Sequence, residues 1–303
     1  MLNLNRLLLL QELQRRGSLI AVSETLSFSP STVSQQLKVL EEEVGAQLTE
    51  RVGRGLRLTR EGETLAECAA AIFTEVERAE AAVAAVRAVA RGDVRVAALQ
   101  TASLAMLPRA LRLLERDDPH PRMLVSRIEP SRSLRALAAR EFDIVLGEEY
   151  AGLPVSRQEG IELVHLIDDA MVLAVPESYD GGVAVTEIGA RLPWVMEPMG
   201  SDARAWCIAM CRSLGLEPVV QFESDDLLVQ MRLVETGHAI AVLPRLLLQS
   251  ERPRLRQVEL PGRPTRTVFA AHRSGSQQSP AIRAVLDALA SAVAVGEGSC
   301  EAG

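Results

Sequence analysis

Leu65, Ala69, Ile72, Val76, Ala79, Val83, Val86 and Ala90 follow one another in alternating steps of four and three residues. This is the heptad spacing of a helix with a single apolar stripe. Thr59-Arg60-Glu61-Gly62 opens that helix and Gly92-Asp93 ends it. The spacing therefore predicts a rod over residues 60–91, roughly 45 Å long at 1.5 Å per residue. An isolated rod cannot bury its own stripe, so the feature demands pairing between chains. It also divides the sequence into a small segment, residues 1–59, a large one, residues 92–295, and a tail, residues 296–303, expected to be disordered.

The small segment reads as helical. Residues 3–16 predict a helix with Leu4, Leu7, Leu8 and Leu13 inward, broken by Gly17-Ser18. A second helix spans about Leu19 to Leu26, and Ser27-Phe28-Ser29 connects it to a third that ends at Gly45. Ser29 is a good N-cap and Pro30 suits the first helical position. Val33, Leu37, Leu40 and Val44 mark the inner face of this third helix, while Ser31, Ser34, Gln35 and Lys38 share the outer one. That outer stripe carries no carboxylate before Glu41. Two short helices joined by a tight turn are the helix-turn-helix arrangement, whose second helix offers its N-terminal residues to base edges in the major groove. Hydroxyls and amides can bond bases or phosphates, and a carboxylate would repel phosphate. The bland alternative is a solvated helix that happens to lack acids. Glu50 to Thr59 alternates Arg with apolar residues or Gly and predicts a hairpin with Gly53 and Gly55 at its tip. Such a wing would place Arg54 on a phosphate or in a narrow minor groove; otherwise it is an ordinary hairpin with solvated arginines. A net charge of −7 argues superficially against nucleic acid, but residues 1–60 carry +2 and the remainder −9.

Beyond residue 92 the pattern changes to alternating strands and helices, which predicts α/β layers with a parallel sheet. Strands are expected at Val94–Leu99, Met123–Ile128, Phe142–Leu146, Ala170–Val175, Trp194–Met196, Val219–Glu223, Ile240–Leu243 and Thr267–Ala271. Helices are expected at Leu104–Arg116, Leu134–Arg140, Asp202–Leu214, Asp225–Thr236 and Ala281–Val293. No apolar run is long enough to span a bilayer, and Leu7 to Leu10 is too short for a signal sequence. Four cysteines without a framework agree with a reducing compartment, so a cytoplasmic protein is expected.

Two other classes compete. His120, His165, His238 and His272 are dispersed without metal-ligand spacing, and neither a nucleophile elbow nor a phosphate loop occurs, which weighs against an enzyme. An exported solute-binding protein would account for the later lobes but not for residues 1–91. Cys207 and Cys211 share a helix face; redox sensing is the sharp reading, and two small buried hydrophobes the plainer one. Thr101-Ala102-Ser103 and Gly200-Ser201-Asp202 each follow a strand and open a helix, where free N–H groups favour an anion or an ordinary cap. Gly147 and Glu148, and Ser224 and Asp225, also lie just beyond strands, where α/β proteins collect ligands.

The order of parts resembles the LysR-type transcriptional regulators. Gly17-Ser18, Leu26, Ser29 to Leu37, Leu40-Glu41, Gly45, Leu48, Glu50-Arg51, Leu58-Thr59 and Gly62 carry the likeness strongly. Gly92 to Val96, Leu107-Pro108, Phe142 to Ile144, Val172 to Pro176 and Gly237 to Pro244 carry it more diffusely. Thr49 departs where the family usually has Phe, leaving that corner open to thin packing, and Val22-Ser23 replaces small alanines. The resemblance implies an α+β multidomain chain: a winged helix-turn-helix, a dimerising linker helix, and a two-lobed α/β effector domain like the periplasmic solute-binding proteins. It implies duplex promoter DNA as partner, held by Ser29, Pro30, Ser31, Thr32, Ser34, Gln35, Gln36, Lys38, Arg51 and Arg54. It further implies a small-molecule effector, a carboxylate or an amino acid, between the lobes near Thr101, Ala102, Ser103, Gly147, Glu148, Gly200, Ser201, Asp202, Ser224 and Asp225. Neither cofactor nor metal is expected. A homodimer through residues 60–91 and a tetramer built from two dimers are.

Overall fold

The computed structural model describes residues 1–26, 28–52, 55–86, 90–182 and 184–294. The expected wing tip at Gly53 and Arg54 and the tail at 296–303 lie outside them. The chain begins with α1 (Leu4–Arg16), α2 (Leu19–Leu26), α3 (Pro30–Val44) and an antiparallel hairpin of β1 (Thr49–Val52) and β2 (Gly55–Leu58), followed by the long α4 (Arg60–Val86). Caps set these limits: Asn3 accepts from the N–H groups of Asn5 and Arg6, and the Ser29 hydroxyl accepts from Thr32 N–H. Leu7, Leu9, Leu10 and Leu13 of α1 are buried, whereas Leu4 is exposed and Leu8 half-buried. The expected inner face thus misplaces Leu4 and Leu8, and Leu9 and Leu10 belong to it instead, because α1 packs against α4 as well as against α2 and α3. Its buried Glu12 is held by Arg16 at 2.6 Å and Arg15 at 3.4 Å. On α3, Val33, Leu37 and Leu40 are buried as expected, and Val44 in the last turn is exposed.

Thr49 is not a packing defect. Its hydroxyl donates to Glu41 Oε1 at 3.0 Å, and the same oxygen accepts the N–H groups of Leu48 and Thr49, each at 2.9 Å. The helix α4 passes so close beneath this corner that a Cβ on Gly62 would lie 2.1 Å from the Leu48 carbonyl oxygen. Along α4 the apolar stripe changes role. Leu65, Ala69 and Ile72 pack into the N-terminal core, while Ala79, Val83 and Val86 face outward. The helix is described to Val86, about 40 Å from its start, and Ala90, expected to extend it, is not helical.

The remainder forms two lobes. The first contains β3 (Asp93–Ala98), α5 (Gln100–Ala105), α6 (Leu107–Leu114), β4 (Arg122–Arg127), α7 (Pro130–Ala138) and β5 (Ile144–Tyr150). A strand of 16 residues, β6 (Ile161–Pro176), then leads into α8 (Val185–Arg191), β7 (Trp194–Met196), α9 (Asp202–Ser213), β8 (Val220–Glu223), α10 (Leu227–Glu235), β9 (Ala241–Pro244), α11 (Arg245–Glu251) and β10 (Leu255–Glu259). The chain returns to the first lobe through β11 (Thr265–Arg273) and ends in α12 (Pro280–Ala294). The helix expected over Leu104–Arg116 is two helices meeting at Met106, because Pro108 lacks an N–H and its ring clashes with the carbonyl four residues back, whereas it fits the first turn of a new helix.

The expected parallel sheet is a mixed one. Parallel pairing occurs between β3 and β4, β3 and β5, and β7 and β8; the other ladders of these lobes are antiparallel. The reason is β6, which belongs to both lobes. Its residues 161–170 pair with β11, and its residues 171–176 pair with β9 and β10. Alternation along it supplies both faces of the second lobe: Leu173 and Val175 enter one core and Val172 and Ala174 the other. Asp169 sits at the changeover, 3% exposed.

Candidate functional site

The outer face of α3 stands clear of the fold. Ser29, Pro30, Ser31, Ser34, Gln35 and Lys38 are exposed, as is Arg51 on β1. Hydroxyls of Ser31 and Thr32 each lie 2.8 Å from the Ser29 hydroxyl, a preset cluster at the helix start. Gln36 differs from its neighbours, since its side-chain oxygen accepts from Arg6 Nε at 2.9 Å, which ties it to α1. Arg54 lies outside the described residues. A hydrogen-bonding, carboxylate-free ridge on a short helix is therefore free to enter a groove.

The second site is a cleft of about 980 Å³ between the lobes. Thr101, Gly147, Glu148, Gly200, Ser201, Asp202 and Asp225 all line it. Three other expected residues do not. Ala102 is buried in the first lobe's core, the Ser103 hydroxyl donates back to Leu99 O at 3.0 Å, and the Ser224 hydroxyl accepts Asp226 N–H at 3.1 Å. The helix at Thr101 starts at Gln100, four residues before the expected Leu104, so Thr101, Ala102 and Ser103 lie inside it and Ala102 turns inward. Gln100 bridges the lobes: it donates to Asp226 Oδ1 at 2.7 Å and accepts from Leu227 N–H at 2.9 Å. That bond, before other contacts, holds the Asp226 carboxyl below its ordinary range. Arg127 reaches Asp225 at 3.4 Å across the same gap.

Of the floor of this cleft, sequence reading named Glu148 and missed Arg266, Asp169 and Glu197. Arg266 is fully buried and donates to Asp169 Oδ2 through Nε at 3.1 Å and Nη2 at 2.9 Å, and through Nη1 to Glu148. Burial opposes its charge, but Glu148, Tyr150 and Asp169 outweigh that and hold the guanidinium firmly protonated. Burial, with the Glu148 charge second, pushes the Tyr150 phenol up. Burial and then Glu148 push Glu197, which follows β7, up to about 7. Trp206, Phe269, Met171 and Met196 supply apolar wall. The one available signal was a run of two acids, Asp168-Asp169, interrupting an apolar strand.

Cys207 lines the cleft and shares a hydrogen bond with Cys211; both are buried free thiols. That hydrogen bond and then burial push the Cys207 thiol well up, while the same bond draws Cys211 down. His238 bonds the Thr236 hydroxyl in its own turn, and His165 approaches Asp168 within β6. Among the described residues no three His, Cys, Asp or Glu side chains cluster as metal ligands, and no helix is long and apolar enough to cross a membrane.

Comparison with known proteins matches the chain in two parts. The model for bacterial regulatory helix-turn-helix proteins of the lysR family matches residues 4–63, and that for the LysR substrate binding domain matches residues 74–294. The DNA-binding transcriptional dual regulator OxyR of Escherichia coli (strain K12) is 25% identical over 279 residues, covering 88% of this chain and 90% of that relative. The HTH-type transcriptional regulator ClcR of Pseudomonas putida is 27% identical over 256 residues, covering 81% and 84%. In fold the chain is similar to CbnR, a LysR family transcriptional regulator, with a TM-score of 0.55 and 21% identity over 95% of this chain and 100% of that one. A full-length OxyR variant from Pseudomonas aeruginosa gives 0.63 and 20%, covering 95% of each. CbnR has also been solved with its target DNA. A helix-turn-helix joined by a long helix to a two-lobed substrate-binding unit, matched by family models along most of its length, belongs to the LysR-type transcriptional regulators, a family of DNA-binding regulators and not of enzymes.

Proposed function

We propose that α3 reads duplex DNA in the major groove and that a small effector binding between the lobes alters that contact. The observation that carries the effector reading is Thr101: it lines the cleft, is fully buried, and its hydroxyl has no hydrogen-bond partner among the described residues. A buried polar atom left unpaired is costly, and a ligand would satisfy it. Of the expected effector classes, a carboxylate end suits the start of α9, and an amino acid would also engage the acids of the floor. The exposed Val83 and Val86 support pairing of two chains along the later turns of α4, and two such dimers would form a tetramer working in the cytoplasm. Pairing would set the spacing of two half-sites. An effector can shift the assembly only by favouring one lobe arrangement over another. Gln100, bonded across the cleft, is the contact that such a rearrangement would break or keep.

Footprinting on the region upstream of its own gene tests the DNA half. Gln35→Ala should weaken specific binding by about 1–3 kcal/mol and relax preference at one base pair. Unchanged affinity and unchanged preference would remove Gln35 and its face from the interface. For the cleft, calorimetric titration of the full chain with a metabolite panel should find a ligand whose binding Thr101→Val weakens. A ligand that alters the footprint yet binds this variant as it binds the parent would put the effector site elsewhere.

A further inference from the structure

Three carboxylates and one guanidinium meet on the floor of the cleft. Arg266 is already engaged by Asp169 and Glu148. Glu197, across the gap on the second lobe, forms no ion pair among the described residues; its carboxyl meets the Ser201 hydroxyl. With all four groups ionised the floor is left with two uncompensated negative charges. The other arginines of the lining are engaged away from the floor: Arg127 faces Asp225, Arg204 pairs with Glu223 while donating to the backbone oxygen of Glu197, and Arg135 donates to the backbone oxygen of Ser131. An anion entering here would add to a charge that the protein itself leaves unbalanced.

A second observation points to a ligand independently. Thr101, on the opposite wall, is 0% exposed with Oγ1 unpartnered, an oxygen able to accept from an N–H. Trp206, Tyr150 and Phe269 complete the surroundings, with the Tyr150 and Trp206 rings 5.5 Å apart. Aromatic faces favour a cation and cover an apolar body equally well.

We infer that the effector carries a protonated amine, seated between Glu148 and Glu197 and reached by the Thr101 hydroxyl, with its apolar portion against Trp206 and Phe269. The inference rests on the cleft being the effector site. It excludes a simple carboxylate and admits an amino acid only through its ammonium group.

Proton linkage supplies a signature. Burial first, then the charges of Glu148 and Asp225, raise the Glu197 carboxyl to about 7, against the opposing pull of Ser201 and Arg266. A bound cation stabilises the ionised form, so capture releases a proton. Affinity for an amine then rises as pH passes upward through about 7, and an anionic ligand shows the reverse sign.

The test uses two matched series that differ in head-group charge: benzylammonium, benzyl alcohol and benzoate, and cadaverine, pentanediol and glutarate. Each is titrated calorimetrically into the full chain at pH 6 and pH 8. The ammonium member of at least one series should bind at least tenfold more tightly than its neutral and anionic counterparts, and more tightly at pH 8. Glu197→Gln, an isosteric change, should weaken it roughly tenfold and flatten the pH dependence, with Thr101→Val giving a smaller loss at unchanged pH dependence. Benzoate or glutarate binding as tightly as the amine overturns the inference. So does an amine whose affinity and pH slope survive Glu197→Gln, or the absence of saturable amine binding up to about 10 mM. A cleft-filling variant, Ser131→Trp with Val155→Trp, separates the two readings. Anion binding lost in that variant refutes only the amine; binding of any member that persists in it, with melting behaviour like the parent's, refutes the cleft itself.

Discussion

Glu197→Gln should change how the stability of the unliganded chain depends on pH. An unfolded chain releases the Glu197 proton near the ordinary value of 4.5, whereas the folded chain holds it to about 7. Between those values the native state carries one proton that the unfolded state lacks, so the parent loses stability as pH rises, by about 1.4 kcal/mol per pH unit. Across the window this amounts to ~3 kcal/mol, and the solvent that still reaches the half-buried carboxyl reduces it to about 2. Glutamine keeps the shape and hydrogen bonding and does not titrate. The variant should therefore melt near the parent at pH 5 and gain on it up to pH 8, by roughly 4–8 °C for a lobed unit of this size. Parallel thermal melts of both proteins across pH 5 to 8 measure the difference directly, and shifts common to both cancel. A gap that stays constant with pH, or widens toward acid, would show that burial and Glu148 do not hold this carboxyl protonated.

Three further outcomes follow from particular contacts. Glu77 of α4 is 6% exposed and receives Arg273, with Arg140 at 3.3 Å; Glu77→Gln takes the carboxylate from Arg140 and leaves Arg273 with Asp143 alone, should cost about 2–3 kcal/mol, and should raise amide exchange along residues 74–86. Val83 is 62% exposed on the outer stripe of α4. Val83→Asp should shift the assembly toward smaller species in sedimentation while leaving the melt of the chain unchanged, whereas Ile72→Asp would confound the two because Ile72 packs in the N-terminal core. Gly62→Ala drives a methyl into the Leu48 carbonyl and should destabilise the N-terminal unit by about 2–3 kcal/mol in a thermal melt; a neutral effect would mean that α4 does not lie this close.

Local chemistry made much of this protein legible without its structure. The α3 helix could be delimited because Ser29, Pro30 and Gly45 act on their own neighbours, and its outer face because 3.6 residues per turn bring Ser31, Ser34, Gln35 and Lys38 together. The heptad stripe likewise announced α4, and strand-helix alternation announced the two lobes. What α4 buries was not legible: Glu77 is interior because Arg273 and Arg140 arrive from strand and turn far along the chain. The mixed sheet was hidden for the same reason, since strand direction depends on which strands meet, and β6 meets β11 in one lobe and β9 and β10 in the other. The floor of the cleft depends most completely on tertiary structure. Glu148, Asp169, Glu197 and Arg266 come from four separate segments, and neither their burial nor their shared charge exists until β6 and β11 cross between the lobes.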